Sequence, residues 1–242
     1  MIFLLSDFGS AGPYPGLMEA AVRAANPEVS VVHLIHELPA FRPGPAGVLV
    51  AALGTSTPPG SVLVCVVDPG VGTARAPMVL AADGCWYVGP ENGLFDVVIA
   101  RSSHTERWVV DWRPERLSAT FHGRDLFAPL AARIAAGGRA WGHPQPDWSP
   151  PDHDGHCQEV IYIDPYGNAM TGLFAADLQS ASHLIAGGRE FRPVRTFAEA
   201  DPGEPVWLAN SIGLAELCLN GDDCAARLGL SRGDAVAVAT AG

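Results

Sequence analysis

At 242 residues, with 48% hydrophobic and 17% charged side chains, the chain can bury the core of one large domain or two smaller ones and leaves little scope for disorder. Its formal net charge of −11, from 26 acidic and 15 basic side chains, argues against nucleic acid or an anionic membrane as principal partner and suits a neutral or cationic small molecule. No apolar run approaches the roughly 20 residues that span a bilayer. The start, Met1 to Leu5, lacks a basic region and meets Asp7 too soon for a secretory signal. The five cysteines, Cys65, Cys85, Cys157, Cys218 and Cys224, form no CxxC pair and read as reduced thiols of a cytoplasmic protein.

In chain order, Ile2 to Leu5 reads as a buried strand, Gly16 to Ala25 as a helix stopped by Asn26-Pro27, and Val29 to Leu34 as a second strand. A helix over Pro45 to Leu53 and a strand over Val62 to Val67 follow. The first and third of these strands run continuously apolar, which predicts cover on both faces and hence an α/β domain with a mostly parallel central sheet. Ligands of such sheets lie beyond the carboxyl ends of the strands, the edge to which Asp7 and Asp68 belong. Trp86 to Val88 and Trp108 to Asp111 read as further strands, and Arg124 to Ala136 as an amphipathic helix ending at Gly137-Gly138. The aperiodic, proline-rich stretch beyond it predicts an N-terminal domain over 1–145, a linker over 146–156 and a smaller β-rich domain over 157–242. There Glu159 to Ile163, Val206 to Leu208 and Ala235 to Ala239 read as strands and Asp222 to Leu228 as a short helix.

Several polar stretches carry chemistry-bearing residues. In VVDPGVGTAR (66–75) an acid ends a strand, glycines let the backbone turn tightly, and Arg75 closes the segment. It lacks the GK[ST] of a P-loop and the GxGxxG of a dinucleotide fold, and taken alone a turn with a surface ion pair is the plainer reading. In TFHGRD (120–125) His122 precedes a helix start, where the dipole favours a neutral imidazole, although a capping histidine is the plainer reading. DPYGNAMT (164–171) and NSIGLAE (210–216) are sufficiently explained as turns. DHDGHC (152–157) offers metal-ligand types but sits in the linker, where a supported site is not expected. His33 and His36 fall at a strand end, where alternation separates them, so no joint metal site is expected there either.

Taken together, SDFG (6–9), VVDPGVGTAR (66–75), VGPENGLFD (88–96), TFHGRDLFAP (120–129), DPYGNAMT (164–171) and NSIGLAE (210–216), in this order and spacing, resemble the S-adenosyl-L-methionine (SAM) hydrolase family. Its members are also called SAM hydroxide adenosyltransferases and are relatives of the fluorinating and chlorinating enzymes. The resemblance covers nearly the whole chain. It implies an N-terminal α/β domain, a smaller C-terminal β-barrel-like domain and a homotrimer, with substrate between the N-terminal domain of one subunit and the C-terminal domain of its neighbour. It implies cleavage of SAM by water to adenosine and L-methionine, with SAM as substrate and neither cofactor nor metal. Asp68, Arg75 and His122 match the hydrolytic set, whereas halogenating members differ at the Asp and His places.

The sulfonium already supplies a neutral thioether leaving group, so the difficulty lies in making water a nucleophile at C5′ of the ribose. Water is a far weaker acid than a carboxylic acid, so a carboxylate needs electrostatic help to take that proton. Asp68 and His122 are expected to orient the water and accept its proton, and Arg75 to fix Asp68. The resemblance also assigns Asp7 to the ribose hydroxyls, Phe41 to the wall near the nucleophile, Tyr166 and Asn168 to adenine, and Asp164 with Ser211 to the amino-acid end. The chain departs from the family's DFGxxDxYVGxMKG: it reads DFGSAGPYPGLMEA, with Gly12 for the second acid, Pro15 for valine and Glu19 for lysine. In the halogenating relatives the residue at Gly12 holds the methionine ammonium. Its loss leaves open a non-catalytic SAM or adenosine binder, or an enzyme for a SAM analogue with an altered tail; a halogenase is opposed by Asp68.

Overall fold

A computed structural model of the chain describes residues 1–138, 140–149, 151–152, 155–179 and 182–239. The chain forms two compact units, Met1–Gly155 and His156–Gly242.

The first unit runs β1 (Ile2–Ser6), α1 (Tyr14–Ala25), β2 (Val31–Ile35), α2 (Pro43–Gly54), β3 (Val62–Val66), β4 (Pro77–Ala82), β5 (Cys85–Pro90), α3 (Asp96–Arg101), β6 (Thr105–Val110), α4 (Ala128–Ala135) and β7 (Gly142–Pro144). Its sheet has the order β2-β1-β3-β5-β4-β6-β7. The first four strands are mutually parallel, and β4, β6 and β7 extend the sheet antiparallel. Every residue of β1 and β3 is buried, because helices cover both faces. Ile2, Leu4, Val62 and Val64 pack with Met18 and Val22 of α1 and Leu130 and Ile134 of α4. The alternate residues Phe3, Leu5, Leu63 and Cys65 face the other way and are equally buried.

Three helix starts of the first unit differ from the sequence expectation, and α2 opens at Pro43 rather than Pro45. α1 begins at Tyr14 because Pro15 fits a first turn, where its missing N–H is no loss. The helix expected from Arg124 to Ala136 opens instead with a wide π-type turn, Gly123–Phe127, before α4 takes over. Such turns alter which side chains a helix start presents, and this one directly follows His122.

The second unit runs β8 (Cys157–Ile163), β9 (Ala169–Phe174), β10 (His183–Ala186), β11 (Arg189–Pro193), β12 (Pro205–Ala209), β13 (Leu214–Leu219), α5 (Cys224–Leu228) and β14 (Ala237–Ala239). The sheet order is β14-β10-β11-β12-β13-β9-β8, antiparallel apart from the β11–β12 pair. One segment joins its two edges. Residues ahead of β14 bond β8, with Val160 N donating to Asp234 O at 2.8 Å and Val236 N to Gln158 O at 2.9 Å, while β14 itself pairs with β10. The sheet therefore curls into a barrel-like form around Val160, Leu184, Phe191, Leu217 and Val236.

Candidate active site

Asp68 follows β3, and the glycine loop doubles back on it through two tight turns, with Val71 N donating to Asp68 O and Thr73 N to Gly70 O, each at 3.2 Å. The Thr73 hydroxyl also donates to Gly70 O at 2.7 Å. These turns return Arg75 to Asp68, where Nη2 donates to Oδ2 at 2.6 Å, with the two side chains only 8% and 6% exposed. The same Nη2 meets His122 Nδ1 at 3.0 Å, and the guanidinium lies 5.3 Å from the Phe127 ring centroid. Gly72 permits the meeting of the two loops. Its φ is 79°, and a Cβ there would stand 2.4 Å from Ala119 O, just ahead of His122.

Arginine has no acceptor, so its bond to Nδ1 requires an unprotonated nitrogen there, and the neutral imidazole carries its proton on Nε2. Burial, then the Arg75 charge, pushes the His122 pKa below the ordinary histidine value of 6.5, which keeps the ring neutral. The helix-dipole argument from sequence reached the same charge state by another cause. Asp68 Oδ1 is buried and has no hydrogen-bond partner among the described residues. A buried acceptor left this way marks a place for a polar group not belonging to the chain.

Asp68 and His122 line a cavity of about 220 Å³ together with Asp7, Phe8, Phe41, Val71 and Phe121. Burial raises the Asp7 carboxyl above its ordinary range, opposed by the Phe41 backbone N–H and assisted by the nearby charge of Asp68. That N–H donates to Asp7 Oδ2 at 3.3 Å. Phe41 itself adopts φ 61° and is 77% exposed. An exposed aromatic in the left-handed region is held there against a cost of about 1–2 kcal/mol, which points to use rather than packing.

In the second unit Asp164, Tyr166 and Asn168 share one turn. Asp164 Oδ1 accepts from the Tyr166 and Asn168 N–H groups, both at 2.9 Å, and Oδ2 from Asn168 Nδ2 at 3.1 Å. Tyr166, 79% exposed, and Asn168 line a groove with Phe197, Asn220 and Asp222. Ser211 stands exposed on a separate turn built by Asn210 Oδ1, which accepts from Ile212 N and Leu214 N. Asn210 also donates to Glu216 Oε1 at 3.1 Å, and burial raises the carboxyl of Glu216.

The sequence reading assigned no role to Phe8, Phe121, Phe197 or Asn92. Asn92, within VGPENGLFD, donates to Val67 O at 2.9 Å and so fixes the carbonyl immediately before Asp68; its NG turn was the available signal. Gly12 has an ordinary φ, and a Cβ there would make only van der Waals contacts with Phe8 O at 3.6 Å and Tyr14 at 3.7 Å. Of the DHDGHC stretch, His153 and Asp154 lie outside the described residues. Among the described residues no group of three or more His, Cys, Asp or Glu side chains could hold a metal ion. Nor is any helix among them long and apolar enough to cross a membrane.

Two family models match the chain: the SAM hydroxide adenosyltransferase N-terminal domain over residues 2–142 and the corresponding C-terminal domain over 158–237. The chain is similar to an (R)-S-adenosyl-L-methionine hydrolase of Thermus thermophilus, 34% identical with 96% of each chain covered. A protein of that name from Salinispora arenicola is also 34% identical, covering 100% of this chain and 98% of its own. The solved structure of an uncharacterized conserved protein from Thermotoga maritima superposes with a TM-score of 0.86 at 27% identity, covering 99% of this chain and 100% of that one.

Proposed function

The chain belongs to the SAM hydroxide adenosyltransferase family, and on that premise we propose that it cleaves S-adenosyl-L-methionine with water to adenosine and L-methionine. The observation that carries the reading is the Asp68–Arg75–His122 cluster on the cavity wall, with one carboxylate oxygen unpartnered.

Water held by Asp68 Oδ1 attacks C5′ of the ribose. The new C5′–O bond forms as the C5′–S bond breaks, and that electron pair returns to sulfur, turning the sulfonium into the neutral thioether of methionine. The water's proton passes to Asp68 and then to solvent, so the reaction releases one proton in all. The hydrogen bonds favour a division of labour between the two groups that sequence reasoning treated alike. Asp68 is the acceptor, while His122, with Nδ1 engaged by Arg75, offers an N–H donor to oxygen. Arg75 holds the carboxylate in place and stabilises hydroxide character on the attacking oxygen.

Asp7 takes the ribose hydroxyls, supported by its position on the same cavity as Asp68, and Phe41 covers the reacting carbon. Tyr166 and Asn168 take adenine, supported by their exposed groove. Asp164 with Ser211 takes the amino-acid end. The protein works as a cytoplasmic homotrimer without a cofactor.

Incubating the protein with SAM in ¹⁸O-labelled water and a chelator, with and without chloride, tests this. Adenosine and methionine in equal amounts, with the label in the 5′-hydroxyl, are expected; unlabelled adenosine or 5′-chloroadenosine would overturn the mechanism. Tight binding without products would favour the non-catalytic reading that Gly12 keeps alive. Light scattering gives the subunit number.

A further inference from the structure

Away from the reacting cluster, a line of side chains runs from the surface of α1 to the buried end of β1. Glu19 Oε2 meets His33 Nε2 at 2.9 Å, His33 Nδ1 meets His36 Nε2 at 2.7 Å, and His36 Nδ1 meets the Ser6 hydroxyl at 2.7 Å. Alternation along a strand would separate His33 from His36, but β2 ends at Ile35 and the chain turns there, bringing the rings together. Ser6 is completely buried and His36 nearly so, at 4% exposure.

We propose that Glu19, His33, His36 and Ser6 form a directional hydrogen-bond relay that positions Asp7 and Phe41 for substrate, a role that rests on the reading of Asp7 given above. The direction follows from the donors and acceptors alone. An ionised Glu19 only accepts, so a neutral His33 carries its proton on Nε2 and presents a bare Nδ1. His36 must then donate from Nε2 and accept at Nδ1, and Ser6 must donate to it. The Ser6 oxygen is left to accept from Phe8 N, which lies 3.4 Å away. Every group is satisfied in this one direction.

The relay grips the pocket because its inner end is spliced into the two loops that build it. Asp7 and Phe8 directly follow Ser6. Gly9 N donates to His36 O at 2.7 Å, and Leu38 N to Ser6 O at 3.0 Å. Phe41 N in turn donates to Asp7 Oδ2. The charged and titratable groups around the histidines are Glu19 and Arg23 of α1, joined at 2.7 Å, and Glu37, whose carboxylate accepts from Ser10 N and His36 N. Burial, then His33, holds the pKa of His36 below 6.5, consistent with a neutral His36 ring. A proton taken up by His33 would make both its nitrogens donors, reverse the line, and leave the buried Ser6 hydroxyl hydrogen without its acceptor.

The test uses the full chain and the partly exposed Glu19. In Glu19→Lys the anchor becomes a donor, so the line must reverse; in Glu19→Gln the amide oxygen still accepts and the direction is retained. Nitrogen-15 spectra of labelled histidine at about pH 8, where free imidazole is neutral, are expected to show both rings protonated on Nε2 in the parent and in Glu19→Gln. Both should be protonated on Nδ1 in Glu19→Lys. With a buried hydroxyl left unsatisfied, KM for SAM in Glu19→Lys is expected to rise roughly 3- to 10-fold while kcat stays within about twofold, and Glu19→Gln should rescue it. Unchanged tautomers in Glu19→Lys, or reversed tautomers with unchanged KM, would overturn the proposal. If the parent failed to cleave SAM, the proposed function would fall. The spectra and adenosine affinity by calorimetry would still read the relay, because a weakened affinity in Glu19→Lys needs no turnover.

Discussion

Replacing Asp68 with Asn removes a charge and almost no volume. The amide oxygen can still accept from Arg75 Nη2, now 2.6 Å from Oδ2, so the second position, where Oδ1 stands unpartnered, becomes an NH₂ group. An acceptor for the attacking water is thereby turned into a donor. Positioned proton transfer contributes about 10²- to 10⁴-fold, and each decade is ~1.36 kcal/mol, so the barrier should rise by roughly 3 to 5 kcal/mol. The stability change is bounded separately. Both side chains are nearly buried, at 8% and 6% exposure, and breaking such a pair outright costs about 3–5 kcal/mol, so the retained hydrogen bond should keep the loss below that range. The assay is adenosine release at saturating SAM, with thermal unfolding to confirm that the variant is folded. A folded Asp68→Asn protein that keeps turnover within about tenfold of the parent would refute the assignment of proton acceptance to this carboxylate.

Gly72→Ala should lower kcat at least tenfold and destabilise by about 1–3 kcal/mol, because a Cβ at φ 79° and 2.4 Å from Ala119 O must push the Asp68 loop off the His122 loop; parent-like kinetics would contradict that. Gly12→Asp, which fits without a clash, should lower KM for SAM roughly tenfold if the added carboxylate takes up a charge-assisted bond of about 1.5 kcal/mol to the substrate ammonium. His36 and His122 both have pKa values lowered from 6.5, chiefly by burial, so the unfolded chain binds protons that the folded one refuses. Stability should be complete above about pH 6.5 and fall as the pH drops from there toward the folded values. Chemical denaturation across that window measures it, and a flat profile would count against neutral rings. For His122, the acid limb of kcat/KM should likewise lie below 6.5.

The parallel half of the first sheet was legible because Ile2 to Leu5 of β1 and the whole of β3 are uninterrupted apolar runs, and burial on both faces leaves such runs no alternative. Of the antiparallel half only β6 was read, as Trp108 to Asp111, whereas β4 and β7 were not. β4 opens with Pro77, and β7 ends in Pro144 at the sheet edge. Proline reads as a loop signal, yet first residues and edge strands are where a sheet tolerates it. The π-type turn after His122 was hidden because one extra residue in a turn barely alters helical periodicity. At the site, the residue types stood out in their motifs, but Arg75 and His122 are 47 positions apart. Their contact depends on Gly72 lying against Ala119, a tertiary approach that no local pattern encodes. The same holds for His33 and His36, where the alternation rule fails because the strand stops between them.

The segment that joins the two edges of the second sheet also sets when that unit can finish forming during translation. β8 is made early, but its outer edge meets its partners only when Gly233 to Val236 emerge from the ribosome, and β10 waits for β14 just behind them. Until then the nascent chain carries two open strand edges, each able to pair with a neighbouring polypeptide.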